Sequence, residues 1–130
     1  MQYALLIYSA SEASAAADLT QHSQVDNWIA YTRALKDAEA LVTLAQLQPV
    51  ESATSVRVRE GEQLLTDGPF IETKEHLGGY YVIEARDLAE AVRVASGIPG
   101  ARIGCVEVRP IAEDERTLQA LGFSLRDSQT

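Results

Sequence analysis

Asp67-Gly68-Pro69-Phe70-Ile71-Glu72-Thr73-Lys74-Glu75-His76-Leu77-Gly78-Gly79-Tyr80-Tyr81 is the stretch on which the fold turns. A tight Asp-Gly-Pro turn meets an aromatic, then a run of charge, then paired glycines, then a strand. The four ionisable groups Glu72, Lys74, Glu75 and His76 read as one loop. Connectors held by rigid elements are where binding and catalysis concentrate. Upstream, Thr54 to Arg59 alternates: Val56 and Val58 fall on one side, Arg57 and Arg59 on the other. Glu60-Gly61 then supplies a turn and Glu62 to Thr66 returns, which predicts a β-hairpin. Downstream, Tyr80 to Ala85 reads as a strand, with Gly78-Gly79 permitting a bend or a close approach.

Further out, the pattern repeats on both sides. Tyr3 to Tyr8 is apolar on both alternating faces, as a central strand is. Ser23 to about Glu39 has helical spacing, with Val25, Trp28, Ile29, Thr32 and Leu35 on one face and Ser23 and Asp26 placed as a capping box. Leu41 to Leu47 is the next strand, stopped by Pro49. After the hairpin and Tyr80 to Ala85, Asp87 to Ser96 forms a helix. Asp87 and Glu90 cap it, and Leu88, Ala91, Val92 and Ala95 make its buried stripe. Ile103 to Arg109 is the last core strand, and Glu113 to Leu121 a short third helix closed by Gly122. The order β-α-β, hairpin, β-α-β predicts an α+β, ferredoxin-like sheet with helices on one face. Its other face needs a cover, which a homodimer of two facing sheets supplies. Residues 1–111 read as one domain and 112–130 as a short helix and tail.

Composition limits the partners. The 130 residues carry a net charge of −8, with 46% apolar and 23% charged residues. Such an acidic chain is repelled by nucleic acid and by anionic membrane surfaces, and Arg57 with Arg59 reads as a solvated strand face. A single cysteine, Cys105, forms no internal disulfide and suits a reducing compartment. The apolar run at Tyr3 to Tyr8 is too short for a signal peptide or a membrane span, so a cytoplasmic location is expected. Metal-ligand spacings, a phosphate-binding glycine loop, a serine elbow and a nucleotide fingerprint are all missing from the sequence, so no cofactor is expected.

The sequence resembles the YCII-related family, in its DGPF branch. The resemblance rests on Asp67-Gly68-Pro69-Phe70, Glu72-Thr73-Lys74-Glu75 and Gly78-Gly79-Tyr80. Leu5-Leu6-Ile7-Tyr8, Leu47-Gln48-Pro49, Thr54 with Val56-Arg57, and Ala101-Arg102 with Gly104 and Val106-Glu107-Val108-Arg109-Pro110 support it, over about residues 2 to 111. It implies a dimeric α/β barrel and leaves the reaction open. The wider group is associated with a His–Asp pair near the first helix, for which this chain offers His22 with Asp26 or Asp37.

The polar groups chosen as candidates for proton transfer are Asp67, Glu72, Lys74 and His76. A lysine among carboxylates shifts their ionisation, and histidine titrates near neutrality. Tyr8, Phe70 and Tyr81 are candidates to line a small-molecule cleft, with Glu107 and Arg109 on one face of the last strand. Each has a plainer reading: a turn former for Asp67, solvated charges for the loop, packing for the tyrosines, an interface ion pair for Glu107–Arg109, an inert core thiol for Cys105. Two functions follow. One is a homodimer binding a small organic molecule, with cofactor-free acid–base chemistry of the isomerase or lyase kind. The other, implied by the resemblance, is a non-enzymatic accessory module linked to an extracytoplasmic-function sigma factor.

Overall fold

The computed structural model describes residues 1–10, 22–69, 74–102 and 104–122, without the side chains of residues 10 and 22–25. Its elements are β1 (Gln2–Ala10), α1 (His22–Asp37), β2 (Leu41–Gln46), β3 (Thr54–Arg59), β4 (Glu62–Asp67), β5 (Glu75–Glu84), α2 (Leu88–Gly97), β6 (Cys105–Pro110) and α3 (Glu115–Ala120). This is an α+β chain. Four strands form one antiparallel sheet in the order β2-β5-β1-β6, and among the described residues β3 pairs with β4 alone. Each long helix connects two strands that run in the same direction with one strand between them.

The core lies between the sheet and the helices. Tyr3 and Leu5 from β1, Tyr81 and Ile83 from β5, Leu35 from α1, and Ala91, Ala95 and Ile98 in and after α2 are buried together. Ile7, Val106 and Val108 pack against them. Side chains alternate across a strand, so these positions place the odd residues of β1 under the helices and the even ones on the other face. The helices are fixed to one another by Tyr31, whose hydroxyl donates to the Val94 carbonyl at 2.6 Å.

Several local expectations shift. The buried stripe of α2 is narrower than predicted: Ala91 and Ala95 are buried, whereas Leu88 and Val92 are exposed. Alanines bring the helix backbone close to the sheet, and the larger side chains are turned outward. Likewise Ile29 is exposed on α1, and Tyr31 joins the packing instead. Helix α1 begins at His22, one residue before the predicted cap. Asp87 does cap α2, accepting from Glu90 N at 2.9 Å. Glu90 reaches back to Arg86 N at 3.1 Å and to Arg86 Nε at 2.7 Å, one residue earlier than a capping box requires.

The largest difference lies in the charged connector. Strand β5 begins at Glu75, five residues before the predicted start. Glu75 pairs with Ala10 and His76 with Ser9, because β1 runs two residues past Tyr8 and offers the partner edge. The register slips between Ile7 and Tyr8, where Gly78 is the extra residue of a bulge. At Gly79 a Cβ would stand 2.8 Å from the Ala45 carbonyl oxygen, so the neighbouring strand approaches a bare backbone. The hairpin is as predicted. Its turn has Glu60 at φ 53° and Gly61 at φ 78°, the two positive values of a type I′ turn.

Candidate functional site

With the helices over one face, the other face of the sheet is left open by the described residues. Cross-strand pairs place its residues in rows. Thr43, Val82, Ala4 and Arg109 form one row, and Ala45, Tyr80, Leu6 and Glu107 the next. Leu77, Tyr8 and Cys105 close the series at the far end. The centre is therefore aliphatic with two tyrosines, and polar groups gather along the β6 edge. Ala4, Leu6, Tyr8, Tyr80 and Val82 are half-buried, while Leu77, Cys105 and Arg109 are exposed.

Glu107 and Arg109 do share this face, as their spacing predicts, and they interact. Arg109 Nη2 lies 2.6 Å from Glu107 Oε2. That oxygen is shielded from solvent and accepts no aligned hydrogen bond, so the contact is one of charge rather than a formed fork. A carboxylate so placed retains acceptor capacity. Both side chains are partly exposed, which limits what the pair adds to stability.

Cys105, expected in the core, is exposed. It sits at the start of an edge strand, opposite Tyr8 on the open face, away from the described helices.

Of the tyrosines, Tyr8 lies on the open face and Tyr81 does not. Tyr81 is 1% exposed, pairs with Leu5 beneath the helices, and meets Trp28 edge-on at 6.4 Å. Its hydroxyl lies 2.5 Å from Thr32 Oγ1. Burial raises its phenol pKa above the ordinary 10.0, and the Thr32 bond opposes this only in part. Tyr81 is a core residue, which corrects its assignment to a ligand wall. Its neighbour Tyr80, paired with Leu6, lies on the open face. Adjacent tyrosines point to opposite faces, so the sequence showed that one of them faces outward. Which one is decided by register against β1.

Of the predicted proton-transfer groups that are described, Asp67 belongs to the two-stranded sheet and His76 to the four-stranded one. Phe70 and Glu72 lie outside the described residues. Lys74 is exposed immediately before β5. His76 is half-buried and pairs with Ser9, on the helix side of the sheet and away from Tyr8. Asp67 is exposed at the end of β4. The hydrogen bonds that hold its turn run through Gly68, at φ 97°: its N–H donates to the Ala53 carbonyl at 2.7 Å, and its carbonyl accepts from Ser55 Oγ at 2.8 Å. For the implied His–Asp pair, His22 opens α1 and Asp37 closes it, about 22 Å apart along the axis at the usual rise per residue. Asp26 stands one turn from His22. The side chain of His22 lies outside the described atoms.

A shallow groove along α1, lined by Trp28, Ile29, Thr32, Arg33, Lys36 and Asp37, belongs to the helical layer and not to the open face. Among the described residues no cluster of three His, Cys, Asp or Glu is spaced to hold a metal. Among them, too, no helix is long and apolar enough to cross a membrane.

The YCII-related domain matches residues 1–114. An uncharacterised protein of Rhizobium meliloti (strain 1021) is 36% identical over 115 residues, covering 86% of this chain and 93% of the relative. The chain belongs to the YCII-related family.

Proposed function

We propose that this YCII-related protein is a homodimer whose monomers are ferredoxin-like, that their open sheet faces pair into an α/β barrel, and that the cleft between them binds a small organic molecule. One observation carries this reading: a sheet face, left open by the described residues, with an aliphatic centre, two tyrosines and a carboxylate–guanidinium pair along one edge. An apolar floor with a few convergent polar groups is the usual make-up of a small-molecule site. Tyr8 and Tyr80 supply the aromatic wall. Arg109 holds an anionic or carbonyl oxygen of the ligand, and Glu107 accepts a proton from it. The chemistry that such a set serves is cofactor-free proton transfer on a small carbonyl compound, of the isomerase or lyase kind.

Native mass spectrometry of freshly purified protein tests both parts together. The wild type gives a dimer mass plus a small adduct. The Glu107→Gln/Arg109→Ala variant keeps the dimer and loses the adduct, with a stability change under about 1 kcal/mol because the pair is partly exposed. An adduct retained at full occupancy by that variant removes these two residues from the site.

A second reading is an accessory module of transcription control, associated with an extracytoplasmic-function sigma factor. The net charge of −8 favours it, since an acidic surface suits a basic protein partner. Recovery of a sigma factor in a pull-down from the native host, with no small adduct on the protein, selects this reading over the first.

A further inference from the structure

Among the described residues, nothing covers one face of the β3–β4 hairpin. Among those residues its strands pair only with each other. All of β4 and all of β3 except Ser55 are exposed. The register divides it into two unlike sides. Thr54, Val56, Val58, Gln63, Leu65 and Asp67 share one, while Arg57, Arg59, Glu62 and Leu64 lie on the other. On the first side Val56 is 55% exposed, Val58 61% and Leu65 63%. Alternation of this kind belongs to a strand pair with one buried face. A lone two-stranded hairpin is marginal in water and needs a third layer. The root of the hairpin, by contrast, is fixed through Ala53, Ser55 and Gly68. The arm is thus aimed but unsupported.

We infer that this arm seats its Val56–Val58–Leu65 face on a second copy of the chain and carries Asp67 into that copy's open-face site. The inference rests on the sheet-to-sheet dimer proposed above. Interface size favours a second copy as the occupant. At ordinary strand spacings the four-stranded face has a footprint of about 330 Å², well short of the ~800 Å² per partner of a stable complex. The apolar side of the hairpin adds about 200 Å². In a two-fold dimer each subunit both gives an arm and receives one, which brings the contact close to the required size. Asp67 lies on the seated side, next but one to Leu65, so the arm delivers its carboxylate with the apolar contact. The wall formed by Tyr8, Tyr80, Glu107 and Arg109 of one subunit is then completed by Asp67 of the partner subunit.

Sedimentation equilibrium on Val58→Thr/Leu65→Thr tests this, because threonine keeps strand propensity and removes the apolar surface. The dimer dissociation constant rises by about 100-fold or more. Leu64→Thr, on the other side of the same hairpin, leaves it within about threefold. A wild-type constant in the double variant overturns the arm and leaves sheet pairing standing. A wild type that is monomeric at about 100 μM removes the sheet dimer and the arm together. Hydrogen exchange on the unmutated protein covers the case of a variant that does not fold. On dilution through the dissociation constant, amides of residues 54–67 lose protection in step with dissociation. Exchange there that does not depend on concentration overturns the inference.

Discussion

Replacing Tyr81 by phenylalanine separates a core tyrosine from a ligand-wall tyrosine. The ring, and with it the edge contact to Trp28, is kept; only the hydroxyl beside Thr32 Oγ1 is lost. A neutral intramolecular hydrogen bond contributes about 1 kcal/mol net, and Thr32 is half-exposed, so water takes up part of its unmet capacity. The expected loss at neutral pH is therefore about 0.5–1.5 kcal/mol, or a fall in Tm of roughly 2–6 °C for a chain of this size. The pH dependence supplies a second, independent sign. Burial raises the Tyr81 pKa above its ordinary 10.0. Above pH 10 the unfolded chain releases that proton while the folded chain still holds it. The stability from keeping the phenol neutral is present below pH 10 and is lost as pH rises beyond it. The wild type therefore weakens faster than the variant in alkali, and the gap between them narrows. Tyr31, whose pKa burial also raises, is present in both proteins and cancels. Urea unfolding followed by the emission of the single tryptophan, Trp28, at about pH 7.5 and pH 10.5 and one fixed protein concentration reads both quantities. A variant as stable as wild type at neutral pH, with a difference that does not change in alkali, refutes the buried Tyr81–Thr32 contact.

Two further outcomes follow from the sheet and from the cap of α2. Gly79→Ala introduces a Cβ 2.8 Å from the Ala45 carbonyl oxygen, and the resulting crowding destabilises by about 1–3 kcal/mol, with hydrogen exchange quickening first in β2. The Glu90 carboxyl is held below its usual range by the bonds from Arg86 N and Nε, so its contribution is present above pH 4.5 and is lost as pH falls through its depressed value. Glu90→Gln thus flattens the acid limb of a Tm-versus-pH curve, and an unchanged limb excludes this bond as a source of acid lability.

Sequence periodicity located the strands and helices because each buries one face, and the period-2 and period-3.6 patterns record that directly. Gly78-Gly79 was legible for the same reason: only a close approach or a bulge calls for two glycines at a strand entrance. Positions decided by a partner strand were not legible. Glu75 and His76 carry no strand signature of their own and extend β5 only because Ser9 and Ala10 lie beside them. The choice between Tyr80 and Tyr81 depends on a register set by β1, which no local pattern contains. Cys105 looks like a core residue until β6 is known to be an edge. Leu88 and Val92 look buried until α2 is known to approach the sheet through alanines. The Glu107–Arg109 contact, by comparison, was readable from spacing alone, since residues two apart on a strand share a face.

The position of Cys105 has a practical consequence. It is the chain's single thiol, it is solvent-accessible, and it lies across from Tyr8 on the uncovered side of the sheet. Its rate of alkylation by a maleimide is therefore a built-in gauge of whether that side is occupied, readable in crude extract without any introduced label.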